Sequence, residues 1–172
     1  FDFDIGGSND DFIGCDSSRN LFYAYNADND DQDYGNSIPA QGVMLLNQPL
    51  ASFIGYNNSA NPVNGDPNSL LEFNNLLRGL WKDGSAIINT GNGTGSNGSA
   101  TKYHYNFGVH QETGPGSDKR GLGALGPFNF ASNQTFCFDM VVFPAIDSSA
   151  NSAFASLVKL ISKADSIKDI FD

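Results

Sequence analysis

What this chain has little of narrows the field first. Its 172 residues carry nine Lys and Arg against nineteen Asp and Glu, a net charge of −10. A protein so short of cations repels phosphate backbones and anionic lipid, so neither nucleic acid nor a membrane surface is expected as a partner. No run of about eighteen apolar residues occurs, so no membrane insertion is expected. Only two cysteines are present, Cys15 and Cys137, and they form no C-x-x-C pattern. Zinc-ribbon and dithiol redox readings fall away, leaving either one Cys15–Cys137 disulfide or two buried thiols. With two histidines as the available bases and no G-x-S-x-G elbow, nucleophilic catalysis is poorly supplied.

What is present is aromatic and turn-rich: fourteen Phe, six Tyr and nineteen Gly. The length suits one domain, residues 1–172, with a real core. LFYAY (21–25), GVMLL (42–46), 103–107, the neighbourhood of 122–125 and TFCFDMVVF (135–143) have strand composition. In the last run Phe136, Phe138, Met140 and Val142 share one face. Cys137, Asp139, Val141 and Phe143 share the other, so a central strand with two apolar faces is expected. Two helices are predicted. The first spans about 69–81, opened by a Ser69/Glu72 capping box, with Leu70, Leu71, Phe73, Leu76, Leu77, Leu80 and Trp81 as its apolar face. The second spans about 152–171, with Phe154, Leu157, Val158, Ile161, Ala164, Ile167 and Phe171 as its stripe and Lys159, Lys163 and Lys168 facing water. Strands dominate without βαβ alternation. The expected fold is mainly β, an antiparallel β-sandwich or jelly-roll-like domain with one internal and one C-terminal helix.

The chemistry-bearing residues are chiefly acids. Nine lie in the first 33 residues, where Arg19 is the only base. Asp2 and Asp4 alternate with Phe1 and Phe3 as in a half-buried strand, and Asp10, Asp11 and Asp16 follow. The stretch Asn26, Asp28, Asp30, Asp31, Asp33 offers hard oxygen ligands on a loop. Calcium takes six to eight such oxygens, and crowding the acids without a cation costs stability through repulsion. A Ca2+ site drawn from these residues is therefore expected, although the spacing is not that of an EF-hand. His104, His110 and Glu112 form a loose H-x5-H-x-E set that could bind zinc, with hydrogen-bonded histidines as the plainer reading. Asp139 lies within an apolar run and is expected to be a buried acceptor rather than a catalyst. The glycines of TGNGTGSNGSATKY lack the spacing of a phosphate loop.

Several motifs in consistent order resemble a segment of large secreted proteins of the Bacteroidetes type. They are D-x-D-x-G at Asp2–Gly6, DDFIGCD at Asp10–Asp16, the YNAD loop at 25–28, PAQGV at 39–43, WKDG at 81–84 and GPF at 126–128. The sequence departs from that pattern at Ile38, at Ser117–Arg120 and across YHYNFGVHQ. The resemblance implies a module of a longer multidomain protein exported by type IX secretion. It further implies a secreted or cell-surface location, with neighbouring domains or other copies of itself as partners. Asp165-Ser166-Ile167 also fits the short O-glycosylation acceptor pattern of such bacteria. No catalytic set comes with the resemblance. The expected function is a non-catalytic structural or adhesive module stabilised by calcium. The alternatives are a carbohydrate-binding module, with surface glycans stacked on Tyr103, Tyr105 or Trp81, or a self-assembling subunit of an extracellular fibre or lattice.

Overall fold

The computed structural model describes residues 9–172. Asp2, Asp4 and the strand expected around them lie outside the described residues. The fold is mostly antiparallel β, sandwich-like, with one internal and one C-terminal helix, as the composition implies.

Three strands open the described chain as a meander: β1 (Asp11–Asp16), β2 (Leu21–Asn26) and β3 (Ala40–Leu45). The β1–β2 turn closes because Asp16 Oδ1 accepts from the Ser18 and Arg19 amides, an Asx-type turn, while Asn20 takes the left-handed φ of 55°. β4 (Ser52–Asn57) leaves this sheet and pairs with β7 (Lys119–Ala124). Between them lie α1 (Leu70–Leu77) and the short pair β5 (Ile87–Ile88) and β6 (Ala100–Thr101). β8 (Met140–Ala145) returns to β3 and completes a four-stranded sheet in the order β1-β2-β3-β8, and α2 (Ala153–Phe171) closes the chain.

Two layers cover the large sheet. On one face α2 sets Leu157, Leu160, Ile161 and Ala164 against Leu21, Tyr23, Met44 and Phe143. Full burial of each such leucine stabilises by roughly 1.5–3 kcal/mol. Gly42 makes the approach possible, since a Cβ there would stand 2.8 Å from Leu21 Cδ1 and 3.1 Å from Leu160 Cδ2. On the other face the β4–β7 pair covers Ile13, Cys15, Ala24 and Leu45 through Phe53, and Phe22 stacks on Phe53 with ring centroids 5.8 Å apart. A third cluster, Ile54, Leu76, Trp81 and Ile87, lies where α1 meets β4.

Five sequence expectations change. β8 is not central: among the described residues it ends its sheet, and Met140 and Val142 are 56% and 52% exposed. The β4–β7 pair is too narrow to reach over it. Asp139 is exposed rather than buried and exchanges hydrogen bonds with Asn47 just before β8. Residues 103–107 form no regular strand; isolated bridges tie Tyr103 to Phe53 and Asn106 to Cys15 instead. The first helix has its capping box, with Glu72 N donating to Ser69 Oγ at 3.2 Å, but its supposed core face is mostly outside. Leu76 is buried, whereas Leu70, Leu71, Phe73 and Leu77 are exposed. The two cysteines are free thiols. Cys15 is buried in β1 and Cys137 is exposed beyond the opposite end of the sheet order, too far apart to be joined.

Candidate functional site

Three features of the surface and interior bear on function. The first is apolar. On the face of β8 away from α2, Met140 and Val142 stand out at every second residue, as strand geometry requires, and Phe138 is exposed just before the strand. The preceding segment adds Phe128, Phe130 and Phe136, whose rings pack on one another; Phe128 and Phe136 have centroids 4.0 Å apart. Phe130 is 61% exposed, and Ile146 extends the surface past the strand end. The outer edge of β8 is partly blunted, because Pro144 has no N–H and Lys163 Nζ donates to its carbonyl at 3.0 Å.

The second feature is the acid loop. Among the described residues, the eight acids and amides expected to bind calcium do not form one cage. Asp10, Asn26 and Asp31 converge: Asn26 Nδ2 donates to Asp10 Oδ2 at 3.1 Å and to Asp31 Oδ2 at 3.5 Å. Asp31 Oδ1 meanwhile accepts from the amides of Asp33 and Tyr34. Asp28, Asp30 and Asp33 are exposed on the same loop. Asp11 instead faces Lys119, and Asp16 is taken up by its turn and by Arg19, whose Nη1 lies 2.7 Å from Asp16 Oδ2. Among the described residues no group of three or more His, Cys, Asp or Glu is set to hold a metal ion.

The third feature is a polar cavity of about 180 Å³ between β4, β7 and three loops, lined by Asn57, Asn64, Asn92, His104, Glu112 and Lys119 among others. His104 is buried. Its Nδ1 sits 3.1 Å from the Gly55 carbonyl, its ring stacks on Tyr105 at 3.7 Å, and Trp81 meets it edge-on. Burial drives its pKa down to about 3, so the ring is neutral. Nδ1 also lies 3.4 Å from the Gly55 amide, so one backbone group can accept from it and the other can donate to it, and either ring nitrogen can carry the proton. Nε2 is buried without a hydrogen-bond partner. Asn64 Oδ1 is likewise buried without a partner. Glu112 is held at both oxygens: one pairs with Lys119 Nζ, and the other accepts from Ile13 N at 3.0 Å. Burial pulls the Lys119 pKa down to about 8, opposed by the charge of Asp11.

These positions redistribute the expected site residues. His104, His110 and Glu112 do not converge as zinc ligands; His110 leans on the far side of Tyr105 while Glu112 is held by Lys119. Trp81 and Tyr105 are interior, and Tyr103 is half-buried with its hydroxyl on the Leu50 carbonyl, so none offers an open stacking face to a glycan. The Cys15 thiol is pushed well up by burial, with Asp16 adding to the effect, which suits a packing role rather than a nucleophile. Asn57, Asn64, Asn92 and Lys119 went unnoticed in the sequence because they join only through tertiary contacts between separate loops. No family model, curated protein or solved structure matches the chain.

Proposed function

We propose that the chain is a non-catalytic structural module of a secreted or cell-surface protein, which associates through the β8 face and is stiffened by calcium at the Asp31 loop. The carrying observation is the exposed apolar surface from Phe128 to Ile146. Its exposed side chains sum to a patch on the order of 500 Å², near the upper end of what single proteins display and often functional. The partner that suits it best is another copy of the chain. Met140 and Val142 alternate along a terminal strand with Phe138 just before it, so two copies related by a two-fold axis set like side chains against like. Such a patch supplies over half of the ~800 Å² that each partner gives to a standard interface.

Sedimentation velocity tests the association. The expected result is a dimer at about 100 μM that Met140→Lys/Val142→Lys reduces to monomer with an unchanged melting temperature. A native protein that stays monomeric there removes the reading. The calcium component has its own measurement, because an ion bound only by the folded state must raise stability. At a concentration well above its Kd, calcium should raise the melting temperature by about 5–10 °C over chelator, and Asp31→Asn should abolish the gain. An identical melting curve at millimolar calcium would remove that component alone.

A further inference from the structure

The polar cavity beside His104 is not accounted for by an association module, and its chemistry restricts what could occupy it. An anion needs an uncompensated cation, but Lys119, the cation lining the cavity, is paired with Glu112 and faces Asp11. A metal ion needs converging ligands. Here the lining carboxylate, Glu112, already accepts from Lys119 and from the Ile13 amide. What the protein leaves unmet is hydrogen-bonding capacity: Nε2 of neutral His104 and Oδ1 of Asn64, both buried without partners. An occupant must therefore donate to the Asn64 oxygen and share a hydrogen bond with Nε2 while carrying no net charge. Beside those two atoms stand Asn57 and Asn92, side chains able both to donate and to accept, which suits a ligand bearing several hydroxyls. The cavity's 180 Å³ is the room of about six liquid waters at ~30 Å³ each, the scale of one sugar ring and too small for a chain of them.

We propose that this cavity is a binding site for a single neutral sugar unit, whose hydroxyls form hydrogen bonds with His104 Nε2 and Asn64 Oδ1. Recognition is by hydrogen bonding in a recess rather than by stacking, since Tyr105 already has its face against His104. So small a ligand implies weak binding, with a Kd of about 1 mM or above. The site is independent of the association through β8.

Amide and imidazole ¹⁵N spectra recorded during titration with glucose, galactose, mannose, xylose and N-acetylglucosamine, each to about 50 mM, test it. The expected result is saturable shifts for at least one sugar at Asn57, Asn64, Asn92 and His104. The His104 Nε2 resonance should shift as that nitrogen gains a hydrogen-bond partner. Asn64→Ala should weaken binding about tenfold or more while leaving the melting temperature unchanged, because that oxygen has no partner within the protein to lose. Shifts scattered over the surface, or none at the cavity with any of the five sugars, overturn the proposal and leave the recess a water-filled one. Shifts that persist unchanged in Asn64→Ala overturn it as well.

Discussion

His104 gives the most direct residue-level expectation. Its pKa lies at about 3 in the fold against 6.5 for a free ring, and burial is the main cause. The unfolded chain therefore takes up a proton that the folded chain refuses, and stability falls as pH drops below 6.5. The contribution is complete above pH 6.5 and is lost progressively toward pH 3, on the order of 3–5 kcal/mol in the limit. Between pH 6.5 and 4.5 most carboxylates remain ionised, so denaturant titrations in that window isolate the effect. A decline over that range should accompany a ring that NMR still shows neutral at pH 5; a ring that protonates near 6.5 in the folded protein contradicts it. At this scale little was legible beforehand. The spacing of His104, His110 and Glu112 hinted at a metal set, yet spacing along a chain says nothing about which way each side chain turns. Tertiary pairing with Gly55, Tyr105 and Lys119 decided their roles.

Elements were more legible than their surroundings. The Ser69/Glu72 cap is a local hydrogen-bonding device, so sequence alone places the start of α1 correctly. Met140 and Val142 do share one face, because strand geometry requires it, but the strand starts at Met140 rather than Thr135, so Phe136 and Phe138 precede it. What sequence could not supply is the depth of the layer opposite. A two-stranded β4–β7 cover ends before β8, and α1 rests on Leu76 while Leu70 is 89% exposed. Apolar composition thus marks a face without saying whether the molecule itself covers it. The asymmetry has a measurable consequence in α1. Leu76→Ala removes a side chain packed with Ile54, Trp81 and Ile87 and should cost about 2–5 kcal/mol in chemical denaturation. Leu70→Ala at the exposed end of the same helix should stay within about 0.5 kcal/mol. Equal costs at the two positions would mean that α1 packs differently from the arrangement described.

For the whole molecule the issue is how a chain with a net charge of −10 brings two copies together. Charge and apolar surface are segregated. The exposed acids Asp28, Asp30 and Asp33 crowd the loop after β2, while the Phe128–Ile146 segment carries one acid, Asp139, and has Lys159 and Lys163 of α2 beside its Pro144–Ile146 end. Long-range repulsion between copies therefore opposes an encounter that the apolar contact itself favours. Salt separates the two contributions. The Debye length shrinks from about 10 Å at 0.1 M to about 3 Å at 1 M, which silences charges across the interface margin but leaves burial of Phe and Met side chains intact. Dimerisation through β8 should thus tighten as sodium chloride rises, by about tenfold or more in Kd between 0.05 and 0.5 M. Sedimentation with chelator present throughout keeps the calcium loop out of the comparison. Dissociation on adding salt would point to a different contact, the acid loop of one copy against the α2 lysines of the next, and the β8 face would then lose its role in assembly.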